Sequence, residues 1–156
     1  MRKHLRKHSG QSMVEFAVLA PIFFLLLLGT IDLGRAVYIY NTISDAAREG
    51  TRAAIPFDNP LPTSTQVVAA VQSKLGGGFT LSQDPCSGGP VTSNCPATPT
   101  APNTGLIWYS GGIGSTGRGV VTVKISFLFQ PWIPVVRDAA GNGVVISAQS
   151  SMVTEY

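Results

Sequence analysis

In the first third of the chain the apolar positions do not alternate with polar ones but run together. Phe16 to Ile31, FAVLAPIFFLLLLGTI, contains no charged residue. As helix these sixteen residues rise about 24 Å, short of the roughly 30 Å of a bilayer's hydrocarbon layer. Met13 and Val14 on one side, and Leu33, Ala36, Val37, Tyr38 and Ile39 on the other, make up the difference. Tyr38 and Tyr40 then fall where an interfacial aromatic belt is expected. A run this oily on every side is hard to cover in so small a domain, which argues for a membrane span over a buried core helix. Pro21 inside the run removes a helical hydrogen bond and predicts a kink or local loosening, of the kind membrane helices tolerate.

Past Ile31 the pattern changes period without a Gly/Pro-rich break. Leu33, Ala36, Val37, Tyr40, Ile43, Ala47 and Ala54 recur at three- and four-residue steps among Asn41, Ser44, Asp45, Arg48, Glu49 and Arg52, which predicts that the helix continues as an amphipathic stalk. Asp45 with Arg48, Glu49 with Arg52, and Asp32 with Arg35 are spaced to pair along it. Pro56 disfavours helix at Ile55 and marks the end near Ala54.

After a linker with three prolines over 56–62, Thr63, Ser64 or Thr65 can cap a short helix whose apolar face is Val67, Val68, Val71 and Leu75; Gly76, Gly77 and Gly78 stop it. Residues 82–105 are rich in Pro, Ser, Thr, Gly and Asn and read as a surface loop. Leu106 to Tyr109 reads as a short strand. Val121, Val123, Ile125, Phe127 and Phe129 alternate with polar residues and predict a half-buried strand. Gln130 to Gly143 turns through two prolines, and Val144 to Val153 returns as a strand antiparallel to the one before, with Ile146, Ala148 and Met152 on one face. The expected fold class is α+β: a leader over 1–10, a membrane-spanning and stalk helix over 11–54, and a head over 55–156 whose small antiparallel sheet is covered by the stalk.

Charge gives the chain a direction. Arg2, Lys3, Arg6 and Lys7 precede the apolar run with no acid among them, whereas the far flank mixes both signs. The positive-inside rule then puts the N-terminus in the cytoplasm and the head outside the cytoplasmic membrane. Without the tail, the net charge of +3 becomes seven basic against eight acidic side chains, so the basic balance is a targeting feature and no nucleic-acid surface is read from it. His4 and His8 belong to that tail and lack a third ligand. The head has no histidine, and its acids Asp58, Asp84, Asp138 and Glu155 are scattered, which leaves no catalytic, metal or cofactor constellation to read. Cys86 and Cys95 stand nine apart among turn-formers on the side expected to be oxidising. A disulfide stapling the loop, at about 2–3 kcal/mol, is the leading reading; free thiols or a metal site are the alternatives and lack further ligands.

The junction ahead of the apolar run reads Gly10-Gln11-Ser12-Met13-Val14-Glu15-Phe16. A carboxylate at the mouth of a membrane segment is costly, about 2.5–3.5 kcal/mol at a bilayer centre and less at the edge, so Glu15 either finds a partner or snorkels to the headgroups. No convincing small-x-small cleavage site follows the run, which disfavours an ordinary cleaved signal. Over residues 10 to 54 the stretch GQSMVEFAVLAPIFFLLLLGTIDLGRAVYIYNTISDAAREGTRAA resembles the TadE-like family, pilin-like proteins of Tad (tight adherence) pilus systems; VTVKISFLFQPWIP and VVISAQSSMVTEY resemble its late strands more loosely. The resemblance implies cleavage between Gly10 and Gln11 by a prepilin peptidase, with Glu15 as the fifth mature residue and Phe16 completing a Glu-Phe pair used in subunit assembly. It also implies other pilins of a Tad system as partners, beside the lipid bilayer, a minor-pilin role in adhesion or secretion, and the architecture of a reduced type IV pilin. An uncleaved single-pass envelope protein whose head binds a partner is the alternative.

Overall fold

The computed structural model describes residues 9–55, 61–89, 97–110, 113, 118–141 and 143–154. The basic tail, with His4 and His8, and most of the 56–62 linker lie outside the described residues, as does Cys95.

One helix, α1 (Ser9–Ala53), runs unbroken through Pro21. Its two halves have different surroundings. From Gly10 to Ile31 it stands alone, with its large apolar side chains exposed; this stretch is long and apolar enough to cross a membrane. From Ile39 onward it enters the head. Ile39, Ile43, Ala46, Ala47 and Ala54 are buried there against Val67, Val71 and Leu75 and the strands. Of the stripe expected from the spacing, Ile43, Ala47 and Ala54 are core and Ala36 is partly buried, whereas Leu33, Val37 and Tyr40 are exposed and Ile39 and Ala46 take the core positions, because the head covers a face of α1 turned from the most apolar one.

The second helix, α2 (Ser64–Leu75), begins as expected at Thr63. The Thr63 side chain accepts from the Gln66 backbone N–H while the Gln66 side chain accepts from the Thr63 N–H, a reciprocal capping box. A 3₁₀ turn over Gly76–Gly78 follows it.

Four strands form the sheet in the order β1 (Thr80–Gln83), β2 (Thr104–Tyr109), β3 (Val120–Phe129) and β4 (Val144–Val153). The two long strands are antiparallel as expected, with Val121 opposite Met152 and Phe129 opposite Val144; β2 is antiparallel to β3. Alternation sends Val121, Val123, Ile125, Phe127 and Phe129 to the face that α1 and α2 cover. The Thr51 hydroxyl oxygen, fully buried, sits 2.8 Å from both the Ala47 carbonyl and Ser150 Oγ and stitches helix to β4.

The structure departs from the sequence reading in two places. Residues 82–105 are not all loop, because Thr80–Gln83 adds to β2 as a parallel edge strand and makes the sheet mixed. The 130–143 connection is not turn throughout, because Pro134 opens a short helix, α3 (Pro134–Ala139); proline at the first helical position sacrifices only an N–H that has no intrahelical acceptor.

Candidate anchoring and assembly site

The sequence points to one end of α1, and the structure adds a second place further along it. At the N-terminal end of the described helix Gly10, Gln11, Glu15 and Phe16 are all exposed. Gln11 and Glu15 are four apart and so share a face; Gln11 Nε2 donates to Glu15 Oε1 at 3.2 Å. An added Cβ at Gly10 would meet nothing within 4 Å. The Glu15 carboxylate and the Phe16 ring are exposed on the helix surface and accessible to another chain.

The second place is where the span meets the head. Asp32 and Arg35 do not form the ion pair that their spacing suggests; each reaches into the head instead. Asp32 Oδ2 accepts from the backbone N–H of Trp132 at 3.0 Å and of Ile133 at 3.2 Å. Asp32 is buried, and its Oδ1 has no donor among the described residues. Arg35 donates to Asn103 Oδ1 at 3.0 Å and to the Gln130 carbonyl at 3.4 Å, while its guanidinium lies 4.6 Å from the Trp132 ring and 5.0 Å from that of Phe129. A charged acceptor on two N–H groups and a guanidinium stacked on two rings are each stronger than their neutral counterparts. Together they clasp the 130–133 turn to α1, one residue beyond the apolar run.

Between this clasp and α3 lies a groove of about 380 Å³, bounded by Gly29, Leu33 and Ala36 of α1 with Phe129, Val136 and Val144 of the head. It is apolar apart from Asp32. Higher on the stalk the expected pairs are present and weak: Asp45 with Arg48 at 3.8 Å and Glu49 with Arg52 at 4.0 Å, on exposed side chains.

In the loop ahead of β2, Asp84 is the organising residue that the sequence reading treated as one of several scattered acids. It is buried, its Oδ1 accepts from the Cys86 N–H at 2.8 Å and its Oδ2 from the Ala97 N–H at 2.7 Å. It therefore ties the two ends of the cysteine-containing segment together. Among the described residues no cysteine is a free thiol. Among them, too, no three His, Cys, Asp or Glu side chains converge.

Compared with known families, residues 10–52 match the model of a family described as TadE-like protein. The matched stretch coincides with α1 almost residue for residue, so the resemblance seen in the sequence holds over the helix. Comparison with curated proteins and with solved structures gives no match. The TadE-like segment and the long apolar helix fit a membrane-anchored, pilin-like protein.

Proposed function

We propose that the chain is a pilin-like subunit, a minor pilin, of a Tad-type pilus or secretion system, held in the cytoplasmic membrane by α1 with its head outside. The observation that carries the reading is the TadE-like match over residues 10–52 falling on a helix whose first half is apolar and exposed among the described residues. Before assembly the helix waits in the bilayer, with leader 1–10 cytoplasmic and head 55–156 extracytoplasmic. A prepilin peptidase cuts between Gly10 and Gln11, which removes every charge of the tail and leaves a free amine near the membrane surface. That amine pairs with Glu15 of a neighbouring subunit, Phe16 packing beside it, so that other pilins of the system are the partners. The exposure of Gly10 and Gln11 supports the cut, because a peptidase must reach the backbone there. In the head, Cys86 and Cys95 close a disulfide loop whose ends Asp84 holds together.

The test is the N-terminus of the protein recovered from native membranes, by intact mass and N-terminal sequencing, for the natural chain and for Glu15→Ala. A start at Gln11 in both, with co-purification of the other pilins lost only in Glu15→Ala, is the expected result. An intact leader would instead favour the uncleaved envelope protein. Undiminished co-purification from Glu15→Ala would remove Glu15 from the assembly role.

A further inference from the structure

The head carries an exposed apolar edge at the level where the span ends. Trp132 is 69% exposed, and Val135 and Val136 of α3, with Val144 and Val145 of β4, are exposed around it. Monomeric domains seldom leave such clusters bare unless something covers them. The clasp fixes their height along α1: the Trp132 N–H bonds Asp32, and Asp32 directly follows Ile31, the last residue of the uncharged run. The floor of the adjoining groove is α1 itself, at Gly29 and Leu33, so the head's apolar edge is continuous with the exposed apolar surface of the span. From Pro131 to Val145 the charged residues are Arg137 and Asp138, which lie 3.8 Å apart and cancel.

We propose that this edge is a second membrane contact, in which Trp132 and its valine neighbours sit in the headgroup region of the outer leaflet and acyl chains of that leaflet fill the groove. The proposal rests on α1 spanning the bilayer. Indole is suited to the place, since its ring is apolar and its N–H polar, and tryptophan concentrates at membrane–water interfaces for that reason. Arg35 stacks on the Trp132 ring from one residue-turn further out, where a cation meets phosphates and water. Continuity with the span favours lipid as the occupant over a second copy of the chain. One consequence is that the head lies against the bilayer at a fixed tilt and does not stand off on a free stalk.

The chain has two tryptophans, and Trp108 is buried. Trp108→Phe therefore leaves Trp132 as the sole tryptophan, read by excitation on the red edge where tyrosine does not absorb. The full chain with this change is reconstituted in phosphatidylcholine vesicles with and without bromine near the top of the acyl chain. The expected result is emission reduced about twofold by the brominated lipid and weak quenching by aqueous acrylamide, as for an interfacial indole. A second protein, Leu26→Trp with Trp108→Phe and Trp132→Phe, reads the span itself. If Leu26→Trp is quenched by brominated lipid and Trp132 only by acrylamide, the edge faces water and the proposal falls while the span stands. If neither is quenched by lipid, the span fails first. Trp132 shielded from both quenchers, increasingly so as protein is concentrated in the vesicles, would assign the edge to a second copy and equally overturn the proposal.

Discussion

At Asp32 a single carboxylate oxygen holds two backbone N–H groups of a turn a hundred residues away. Asp32→Ala strands both donors in a part-buried turn, and the expected loss is about 1–3 kcal/mol. Asp32→Asn keeps an acceptor in place and gives up the charge, so it should cost less. Denaturant midpoints of the full chain in detergent, followed by circular dichroism, measure both; equal losses would mean that the charge matters and the acceptor does not. The sequence shows these residues plainly as the first charges after an apolar run, yet it pairs Asp32 with Arg35 because three-residue spacing is all that a sequence displays. Backbone donors carry no side-chain signature, so their true partner was invisible. Asp84 escaped notice for the same reason, its partners being the Cys86 and Ala97 amides.

Among the elements, α1 and α2 cross in close contact. An added Cβ at Gly50 would come 2.5 Å from Val71 Cγ2, and Val71 is fully buried and stiff at χ1. Alanine at position 50 gains about 1 kcal/mol in helix propensity but overpacks the crossing at about 1–3 kcal/mol, so Gly50→Ala should be neutral to destabilising by about 2 kcal/mol. Gly34, where the same atom meets open space, should gain up to about 1 kcal/mol on becoming alanine. Thermal melts of the two, with Val71→Ala added to the first to relieve the clash, check the crossing; identical shifts at 34 and 50 would mean that the helices are not in close contact. The elements with strong periodicity or a capping signal were readable, α1, α2, β3 and β4, and so was most of β2 from its apolar run Leu106 to Tyr109. Those missed were short. The four residues of β1 are mostly polar and find their partner in β2 some twenty residues on, and the two prolines near α3 look like turn-formers until one is seen to start a helix.

For the whole molecule the decisive fact is that residues 39–54 are core, not connector. A chain beginning at Thr30 keeps the clasp and the buried stripe and should melt cooperatively. One beginning at Ile55 loses Ile39, Ile43, Ala46, Ala47 and Ala54 from a core that numbers sixteen buried residues among those described. At about 1.5–3 kcal/mol for each buried isoleucine, and a whole-domain stability of about 5–15 kcal/mol, it should show no cooperative transition. Scanning calorimetry of the two distinguishes them, and a cooperative melt for the shorter chain would make the stalk an accessory. That the stalk covers the sheet could be anticipated, since an amphipathic stripe and an alternating strand each need an apolar partner. Where the head touches down along the helix could not, because it depends on the clasp.

The clasp at Asp32 and the first core residue, Ile39, are seven positions apart, close to two helical turns, so both lie on one side of the rod. The head is thereby keyed to the helix like a flag bolted to a pole at two heights. Every position from 16 to 31 has a set compass bearing relative to the head, and the stripe by which one helix meets another decides at once which way the heads look. A single residue inserted between clasp and core would put the two attachments out of phase by about 100° and out of step by about 1.5 Å.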